Sequence, residues 1–467
     1  MDRLPFAHKA EMTINRLQAT KRLGVLCSII LVAVVTYLPA VDNFFISDDF
    51  TMLSYLESLK QNPASILNDP SELFRLLSYV YFWGCSYLFG LNSTGYYWAG
   101  IALHAIASLL LFVLVEKLTG RPLAAWTAAL FFAAYERHQE AIMWISAAND
   151  LILTILCLVF LLLWLRNTAG SRLLAAVVFG LALFSKEPAV ALLPLSVLMS
   201  VVRGVSWRQA FVKSSPLALM TAAYIYLWLS RANQNFFLTE HHYAWGLHFL
   251  PVSAQTVVRM VAPTILFMLP LFALAKRPWV RTVFREKALL FFGAVVCVTV
   301  VPYSFLTYLP SIPSRNTYLP SVGLAALVGL LFAALYPTFS TRRTRGFAVA
   351  FFVVMINQNI AYVWIKKEPQ YLERAAPTRE LIEALNGLDR TVASDASICV
   401  VDFPLHPWIG TESVKWFTRF DRNHMTFSTN VCATESSDVV MRWNTESGLS
   451  TEYQATIKDV GKVAAAP

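Results

Sequence analysis

The 467-residue sequence predicts a polytopic α-helical membrane protein, with a bundle of about eleven transmembrane helices and a small C-terminal soluble α/β domain. Hydrophobic residues make up 57% of the chain and charged residues only 14%, and the mean hydropathy is +0.53. A soluble protein of this size needs more charge to cover its surface, so lipid is the solvent for much of the chain. In lipid only helices and closed barrels hydrogen-bond all backbone N–H and C=O groups. The apolar runs lack the period-two alternation of barrel strands, so the spans are predicted to be helical.

Apolar runs with almost no charge recur from Leu23 to Ile365 and give the predicted helices in order. A full span needs about 20 residues, and the runs 123–135 and 173–185 are shorter. The number of spans therefore depends on whether these short helices cross the membrane or pack inside the bundle. The predicted helices are 23–41, 96–115, 123–135, 151–165, 173–185, 188–202, 216–230, 256–275, 288–309, 318–336 and 347–365.

The loop charges predict the orientation of these helices. With the N-terminus in the cytoplasm, the inner segments carry 20 lysines and arginines and the outer loops carry seven. This asymmetry follows the positive-inside rule and places the tail after the last helix outside. The net charge of +9 is thus explained by topology, and nucleic-acid binding is not expected. We expect an integral membrane protein, with a bacterial inner membrane favoured over a membrane of the endoplasmic-reticulum type.

Residues 42–95 form a long outer loop after the first helix. Leu53, Leu56 and Leu59 fall on one helical face, which predicts an amphipathic helix along the membrane interface. The aromatic-rich stretch 76–89 predicts a second helix, either interfacial or shallowly re-entrant. This loop is therefore expected to lie along the membrane.

The composition of the chain changes where the last apolar run ends. Residues 1–366 form the predicted membrane module, and residues 367–467 have the composition of a soluble, extracytoplasmic domain. The stretch 398–403 predicts a buried strand, which together with a short helix before it favours an α/β fold. Cys399 and Cys432 both lie in this tail, and a disulfide between them requires that the tail be outside the cytoplasm.

Two adjacent carboxylates, Asp48 and Asp49, follow the first span within ten residues. At a membrane boundary such a pair can bind a cation or act as a general base, because partial burial and mutual repulsion raise one pKa. The alternative is a solvated acidic loop that helps to hold the N-terminus inside. The spacing alone leaves both interpretations open.

A second polar cluster runs from Glu136 to Glu140 and is followed by Asp150 at the start of the next helix. So many ionisable groups between two apolar helices must face a polar cavity or the aqueous boundary. His138 is either part of a site or an ordinary loop histidine. Asp150 is either part of a site or a charge that the helix dipole favours. Their occurrence together on the outer side favours a site.

Two further clusters complete the set, Lys186-Glu187 between two short helices and Arg315 near Tyr318. The alternative interpretation of the first cluster is an ion pair at a turn. The alternative for Arg315 is a membrane anchor whose side chain snorkels to the interface. A guanidinium at an interface also suits a phosphate or pyrophosphate. By the predicted topology all four clusters lie on the outer face. A carboxylate base, a polar partner and a phosphate-binding arginine there fit glycosyl transfer from a lipid-linked phosphate.

Six motifs also match a known family in order and approximate spacing over residues 20–330. They are Ser47-Asp48-Asp49, Arg75-Leu76-Leu77-Ser78, Gly95-Tyr96-Tyr97 leading to His104, the run from His138 to Asp150, Ser185-Lys186-Glu187, and Arg315 with Tyr318-Leu319-Pro320-Ser321. The sequence resembles the membrane-embedded GT-C glycosyltransferases, particularly the protein O-mannosyltransferases and the tetratricopeptide-containing transmembrane O-mannosyltransferases. The fold that this resemblance implies is a GT-C-like bundle.

The resemblance implies that Asp48 or Asp49 deprotonates the acceptor hydroxyl, and that the sugar leaves a polyprenyl-phosphate donor with inversion at its anomeric carbon. It implies that Arg315 holds the donor phosphate, with Lys186 as a second phosphate-binding residue. The other motif residues would line the substrate pocket: His138, Glu140, Asp150, Glu187, Arg75 and Tyr318.

Three departures from the family pattern leave the acceptor open. Leu76 stands where relatives usually carry a proline, Ala148-Asn149 precedes Asp150 in place of a Gly-Arg or Arg-Ala run, and no tetratricopeptide array follows. The acceptor hydroxyl is therefore that of a glycan, a lipid or a protein. Use of a divalent metal differs among GT-C enzymes, and the sequence assigns no ligands to one.

Two other classes of function are alternatives to glycosyl transfer. A transporter or flippase for an amphipathic or lipid-linked substrate would favour charges near the membrane midplane and two related halves. Here the ionisable residues gather at helix ends on one side, and no related halves are evident. A non-catalytic scaffold for envelope assembly would make the acidic pair incidental.

Overall fold

The computed structural model of the protein is mostly helical, and it has one small sheet near its C-terminal end. It describes residues 4–67, 75–231, 233, 235–275, 286–307, 312–429, 432, 437–444 and 447–454. The side chains of residues 4–19, 236, 237, 453 and 454 lie outside this description.

Seventeen α-helices are formed by the described residues, and the longer ones follow the apolar runs of the sequence. The helices are α1 Leu4–Tyr37, α2 Asp48–Gln61, α3 Leu76–Phe89, α4 Ser93–Thr119, α5 Pro122–Ala134, α6 Gln139–Ile142, α7 Ala148–Arg166, α8 Ala169–Leu183, α9 Leu192–Val202, α10 Trp207–Ser230, α11 Phe236–Thr239, α12 Phe249–Leu274, α13 Lys287–Val300, α14 Tyr318–Leu335, α15 Arg342–Tyr362, α16 Glu368–Asn386 and α17 Pro407–Phe417.

Eight helical segments of the described chain are long and apolar enough to cross a membrane. They are Thr20–Asp42, Ser93–Thr119, Ile145–Arg166, Trp207–Ser230, Phe249–Leu274, Lys287–Phe305, Ser314–Thr338 and Arg342–Asn386. Each of the eleven predicted helices overlaps a helix of the structure, but three of them correspond to the short helices α5, α8 and α9. The polytopic helical membrane protein is confirmed, whereas the count of eleven spans is not.

Helix α14 lies at the centre of the bundle, between α5 and α13, and 83% of its most apolar window is buried. Two of its glycines make this close packing possible. A Cβ at Gly329 would overlap the carbonyl oxygen of Ala124, and one at Gly323 would overlap that of Phe292. Small residues allow helix backbones to approach closely in lipid, where dispersion drives association. Tyr318 begins α14 and Arg315 lies in the 3-10 turn Ser314–Thr317 just before it, so this packing fixes the position of both residues in the bundle.

The last candidate span continues beyond the apolar bundle. A π-helical turn over Val363–Lys367 joins α15 to α16, and the combined segment Arg342–Asn386 has 45 residues. At 1.5 Å per residue this corresponds to about 68 Å, more than twice the hydrocarbon thickness of a bilayer. The segment therefore connects the bundle directly to the tail.

A four-stranded sheet follows, with the order β2-β1-β3-β4. Its strands are β1 Ile398–Val401, β2 Met425–Ser428, β3 Val439–Asn444 and β4 Gly448–Gln454. Strand β1 is parallel to β2 and β3, and β4 is antiparallel to β3. One face packs on Leu381 and Leu385 of α16, and Cys399 on β1 is bonded to Cys432.

Helix α17 of the tail packs on α2, which belongs to the predicted first outer loop. The Trp416 indole N–H donates a hydrogen bond to Ser54 Oγ at 2.8 Å, and Lys415 Nζ lies 2.5 Å from Glu57 Oε2. The Phe417 ring lies against two aromatic side chains just before α2. Its centroid is 5.0 Å from that of Phe44 and 5.7 Å from that of Phe45. The tail thus holds the segment that carries the acidic pair.

Candidate active site

The acidic pair lies at the first turn of α2. The residue before it, Ser47, has φ +51° and ψ −122°, a backbone conformation that is rare for a residue with a side chain. The sharp turn at Ser47 lets Ile46 donate its backbone N–H to Asp49 Oδ2 at 2.9 Å. As a result the two neighbouring aspartates face different surroundings.

Asp49 is fully buried, and both of its carboxylate oxygens accept hydrogen bonds. Oδ1 accepts from the backbone N–H and the hydroxyl of Ser146, at 2.8 and 2.6 Å. Burial raises the pKa of Asp49 to about 7, although the hydrogen bonds from Ile46 and Ser146 oppose this. Asp49 therefore ties the first outer loop to the segment before α7 and has no oxygen free of a protein donor.

Asp48 is exposed to solvent, and among the described residues its hydrogen bond is a long one from Ser47 Oγ at 3.4 Å. The surrounding protein raises its pKa by desolvation, and the positive charges of Arg315, Arg75 and Arg374 act in the opposite direction. Asp48 thus faces a group of three guanidinium ions. A carboxylate with an accessible oxygen and a raised pKa is suited to accept a proton.

The Lys186 ammonium forms the most buried ion pair of the site. Its Nζ lies 2.7 Å from each carboxylate oxygen of Asp150 and 3.2 Å from Asn316 Oδ1. The Tyr303 hydroxyl donates to Asp150 Oδ1 at 3.1 Å, and the Lys186 ammonium stands 5.2 Å from the Tyr303 ring centroid. With both side chains no more than 6% exposed, this pair needs every one of these partners to offset its desolvation.

Arg75, just before α3, forms a forked ion pair with Glu187. Its Nη2 lies 3.0 and 3.1 Å from the two carboxylate oxygens, and its Nε lies 3.2 Å from Oε1. Planar fork-to-carboxylate geometry fixes the orientation of the guanidinium as well as its position. The pair joins the first outer loop to the turn between α8 and α9.

Arg315 pairs with Glu140, which also accepts from the Arg315 backbone N–H at 3.2 Å and from Ser314 Oγ at 2.9 Å. Burial alone would raise the pKa of Glu140, but the Arg315 charge and these hydrogen bonds hold it below its usual value. The guanidinium carbon of Arg315 is 4.7 Å from the Trp144 ring centroid. Arg315 is thus fixed between a carboxylate and an aromatic face.

His138 and Tyr318 lie deeper, in a closed aromatic cluster. His138 Nε2 is 2.6 Å from Ser321 Oγ, and its ring is 4.4 Å from that of Tyr318. The Tyr318 hydroxyl is 2.7 Å from His104 Nδ1. Burial holds the pKa of His138 well below its usual value, so its imidazole is neutral. Both residues support the turn between α5 and α7 from beneath.

Four of the residues singled out in the sequence line one recess of about 460 Å³, which includes space open to solvent. These are Arg75, Lys186, Glu187 and Arg315. Asp48 lies beside this recess, within the electrostatic reach of Arg75 and Arg315. The structure therefore brings together residues from four separated segments of the chain.

A larger recess, of about 730 Å³, lies between α5, α12 and α15. Glu136 and Arg137 line it, from the same turn that carries Glu140. None of the four residues named above lines this recess. The ion pair at its wall joins Arg137 Nε to Glu136 Oε1 at 3.7 Å. We therefore place the candidate active site at the first recess.

Three residues of the site were missed by the sequence analysis. Tyr303 and Asn316 hold the Lys186–Asp150 pair, and Arg374 of α16 stands 5.7 Å from the Trp144 ring. Of these three, Asn316 could have been found from the sequence, because it lies next to Arg315 inside one of the motifs. Tyr303 and Arg374 carry no such signal, because only the fold brings their segments to the site.

The described residues contain no group of three or more His, Cys, Asp or Glu side chains arranged to hold a metal ion. Asp49, which a metal bound to the acidic pair would need, uses both oxygens in hydrogen bonds to the protein. Asp48, whose carboxylate is exposed, has the greater capacity to bind a metal at this position.

The resemblance to the GT-C membrane glycosyltransferases that the six sequence motifs indicate extends to the fold. The structure is similar to that of ArnT from Cupriavidus metallidurans in the apo state, with a TM-score of 0.51, 13% sequence identity and 86% of each chain covered. Against the same protein bound to undecaprenyl phosphate the TM-score is 0.50, with 12% identity over 91% of this chain and 93% of that one.

In sequence the chain is similar to the protein O-mannosyl-transferase F38B6.6 of Caenorhabditis elegans. The two are 22% identical over 381 residues, which is 69% of this chain and 52% of the relative. The chain thus spans about half the length of this relative. No protein-family profile matches the chain.

Proposed function

We propose that the protein is an inverting glycosyltransferase, which moves a sugar from a polyprenyl-phosphate donor to a hydroxyl acceptor at the extracytoplasmic face of the membrane. The observation that carries this proposal is the placement of Asp48. It is an accessible carboxylate beside a recess lined with paired cations, and it is held there by its buried neighbour Asp49. The GT-C fold and the similarity to ArnT, whose structure with undecaprenyl phosphate is known, support a lipid-linked donor.

Asp48 is the general base in this proposal, and Asp49 is a positioning residue. The Asp48 carboxylate takes the proton of the acceptor hydroxyl as that oxygen bonds to the anomeric carbon of the sugar. The bond between this carbon and the phosphate oxygen breaks, and polyprenyl phosphate leaves with the electron pair. Attack from the face opposite the phosphate inverts the anomeric configuration.

The donor phosphate binds in the recess, where Arg315 and Lys186 supply positive charge as the leaving group develops negative charge. Their carboxylate partners, Glu140 and Asp150, fix the two cations before the substrate arrives. Arg75 with Glu187 forms the opposite wall of the recess. His138 and Tyr318 act indirectly, because they are buried below the turn that carries Glu140.

The environment of the enzyme follows from the loop charges and from the tail. We propose that residues 1–366 form the transferase module of a bacterial inner-membrane protein with a cytoplasmic N-terminus. Residues 367–467 form an extracytoplasmic α/β domain, a location in which the Cys399–Cys432 disulfide is stable. The acceptor is a glycan, lipid or protein hydroxyl, and a divalent metal bound by Asp48 is compatible with the proposal.

The test is sugar transfer by the purified, full-length protein in liposomes that contain a polyprenyl-phosphate sugar. We expect Asp48→Asn to lower kcat by roughly 10²–10⁴-fold, the usual contribution of a general base. Asp395→Asn, an exposed aspartate of the tail, is the matched control and should leave kcat unchanged. Wild-type turnover by correctly folded Asp48→Asn would rule out this mechanism.

A further inference from the structure

Arg374 lies on α16, one to two turns beyond the π-helical turn that ends the last apolar helix. Its side chain is exposed, and its guanidinium carbon is 5.7 Å from the Trp144 ring centroid and 5.3 Å from that of Tyr371. Tyr371 is itself fixed, because its hydroxyl donates to Gln139 Oε1 at 2.6 Å. The hydrogen-bonded ring of Tyr371 and the largely buried ring of Trp144 therefore both contact Arg374 near the turn between α5 and α7.

The Trp144 ring has a second guanidinium beside it. Arg315 approaches the same ring with its guanidinium carbon 4.7 Å from the centroid. The two arginines come from segments almost 60 residues apart in sequence, and the indole brings their charges to one place. The two guanidinium carbons are therefore no more than about 10 Å apart, and an anion that binds between or beside them would offset their mutual repulsion.

The cations of the site differ in their pairing. Arg75, Lys186 and Arg315 each form an ion pair with a carboxylate, and their charge is therefore largely neutralised. Within the described part of the chain Arg374 forms no ion pair. A guanidinium whose face rests on aromatic rings keeps its N–H donors at the edge, where a phosphate can accept them in pairs.

We propose that Arg374, together with Arg315, binds the phosphate of the polyprenyl-phosphate donor and of the leaving polyprenyl phosphate. This inference rests on the proposed glycosyl transfer, and it adds a binding residue from outside the membrane module. Arg315 remains held by Glu140, whereas Arg374 supplies the charge that is not already neutralised by the protein. The lipid phosphate then lies at the outer end of the bundle, with the prenyl chain in the membrane.

The test is equilibrium binding of polyprenyl phosphate to the purified full-length protein in lipid nanodiscs, with Arg374→Gln and Arg374→Lys as variants. Loss of a charge-assisted hydrogen bond to phosphate should weaken binding about tenfold or more in Arg374→Gln. Arg374→Lys should recover part of the affinity, because a lysine keeps the charge but loses the fork. Arg390→Gln removes an equally exposed arginine of the tail and should leave the Kd unchanged.

The binding assay separates this inference from the proposed function, since it requires no sugar transfer. A Kd for polyprenyl phosphate that is the same in wild type and Arg374→Gln would overturn the inference even if wild-type protein transfers sugar. An equal loss of affinity in Arg390→Gln would also overturn it, because the effect would then be one of net charge. In transfer assays the KM for the donor should rise in Arg374→Gln, and a rise confined to the acceptor KM would contradict the proposal.

Discussion

The two neighbouring carboxylates of the first outer loop have different surroundings, although nothing in the sequence distinguishes them. The turn at Ser47 directs Asp49 into the protein, where Ile46 and Ser146 donate to both of its oxygens. Asp48 is left at the surface beside the arginines. Adjacent side chains on a helix diverge by about 100°, so a pair at a helix start naturally divides into one buried and one accessible group.

The raised pKa of Asp49 gives a pH-dependent prediction. Its pKa is about 7 in the folded protein, whereas an unfolded aspartate titrates near 4. Between these values the folded chain binds the extra proton, so the stabilisation from this group is present below about pH 4 and is lost as the pH rises towards 7. We expect the apparent Tm to fall from pH 5 to pH 8 by more in wild type than in Asp49→Asn.

The measurement is thermal unfolding of the detergent-solubilised protein over this pH range. Asp395→Asn is the control for removal of a carboxylate and should follow the wild-type curve. If wild type and Asp49→Asn show the same change of Tm with pH, Asp49 does not titrate as inferred.

At the scale of single residues, most of the charged residues that the structure brings together at the candidate site stood out in the sequence. The charged residues stood out because apolar helices leave few places for an ionisable group, and each such group needs a reason to be there. All three ion pairs of the recess consist of residues that were named in the sequence analysis. Which carboxylate pairs with which cation could not be predicted, because the partners lie 36 to 175 residues apart.

At the scale of elements, the important contact is that between α17 and α2. Phe417 of α17 closes an aromatic group with Phe44, Phe45 and Phe50, with ring centroids 5.0 to 6.1 Å apart. The sequence did not predict this contact, because α17 is amphipathic and soluble by composition and gives no sign of its partner. The acidic pair is therefore held from one side by Ser146 and from the other by the tail.

This contact predicts that Phe417→Ala loosens α2 without unfolding the bundle. Truncation of a buried phenylalanine costs about 3–5 kcal/mol, and a half-buried one less, so we expect about 2–3 kcal/mol of local destabilisation. Amide hydrogen exchange in α2 should become faster, and kcat should fall about tenfold or more. Trp408→Ala, an exposed aromatic on the same helix, is the control and should change neither. Unchanged exchange in α2 of Phe417→Ala would show that the tail does not hold this helix.

At the scale of the whole molecule, composition and the apolar runs were sufficient to predict a polytopic helical membrane protein. The apolar runs gave the positions of the helices, since a span must be apolar along its length. They could not decide how many helices cross, because α5, α8 and α9 are short and a hydropathy pattern does not distinguish a tilted span from a helix packed inside the bundle. Whether these three helices cross the membrane depends on how they pack around α14, and the sequence alone does not give this packing.

The loop charges predict the orientation of the whole chain in the membrane. We expect alkaline phosphatase fused after residue 467 to be active in a bacterial host, because the predicted orientation places the tail outside the cytoplasm. The same reporter fused after Gly204, in a loop rich in basic residues, should be inactive, and green fluorescent protein should give the reverse pattern. Active phosphatase at Gly204 together with inactive phosphatase after residue 467 would reverse the orientation.

The packing of α17 on α2 also has a consequence for the synthesis of the protein. Trp416 and Ser54 are 362 residues apart in sequence, so the ribosome adds the second partner on the order of 20–70 s after the first. During this interval the acidic pair has already been made, but the helix that packs against its segment has not. A nascent or truncated chain therefore lacks a contact that holds the candidate site, and this part of the fold is completed only when the last segment has been made.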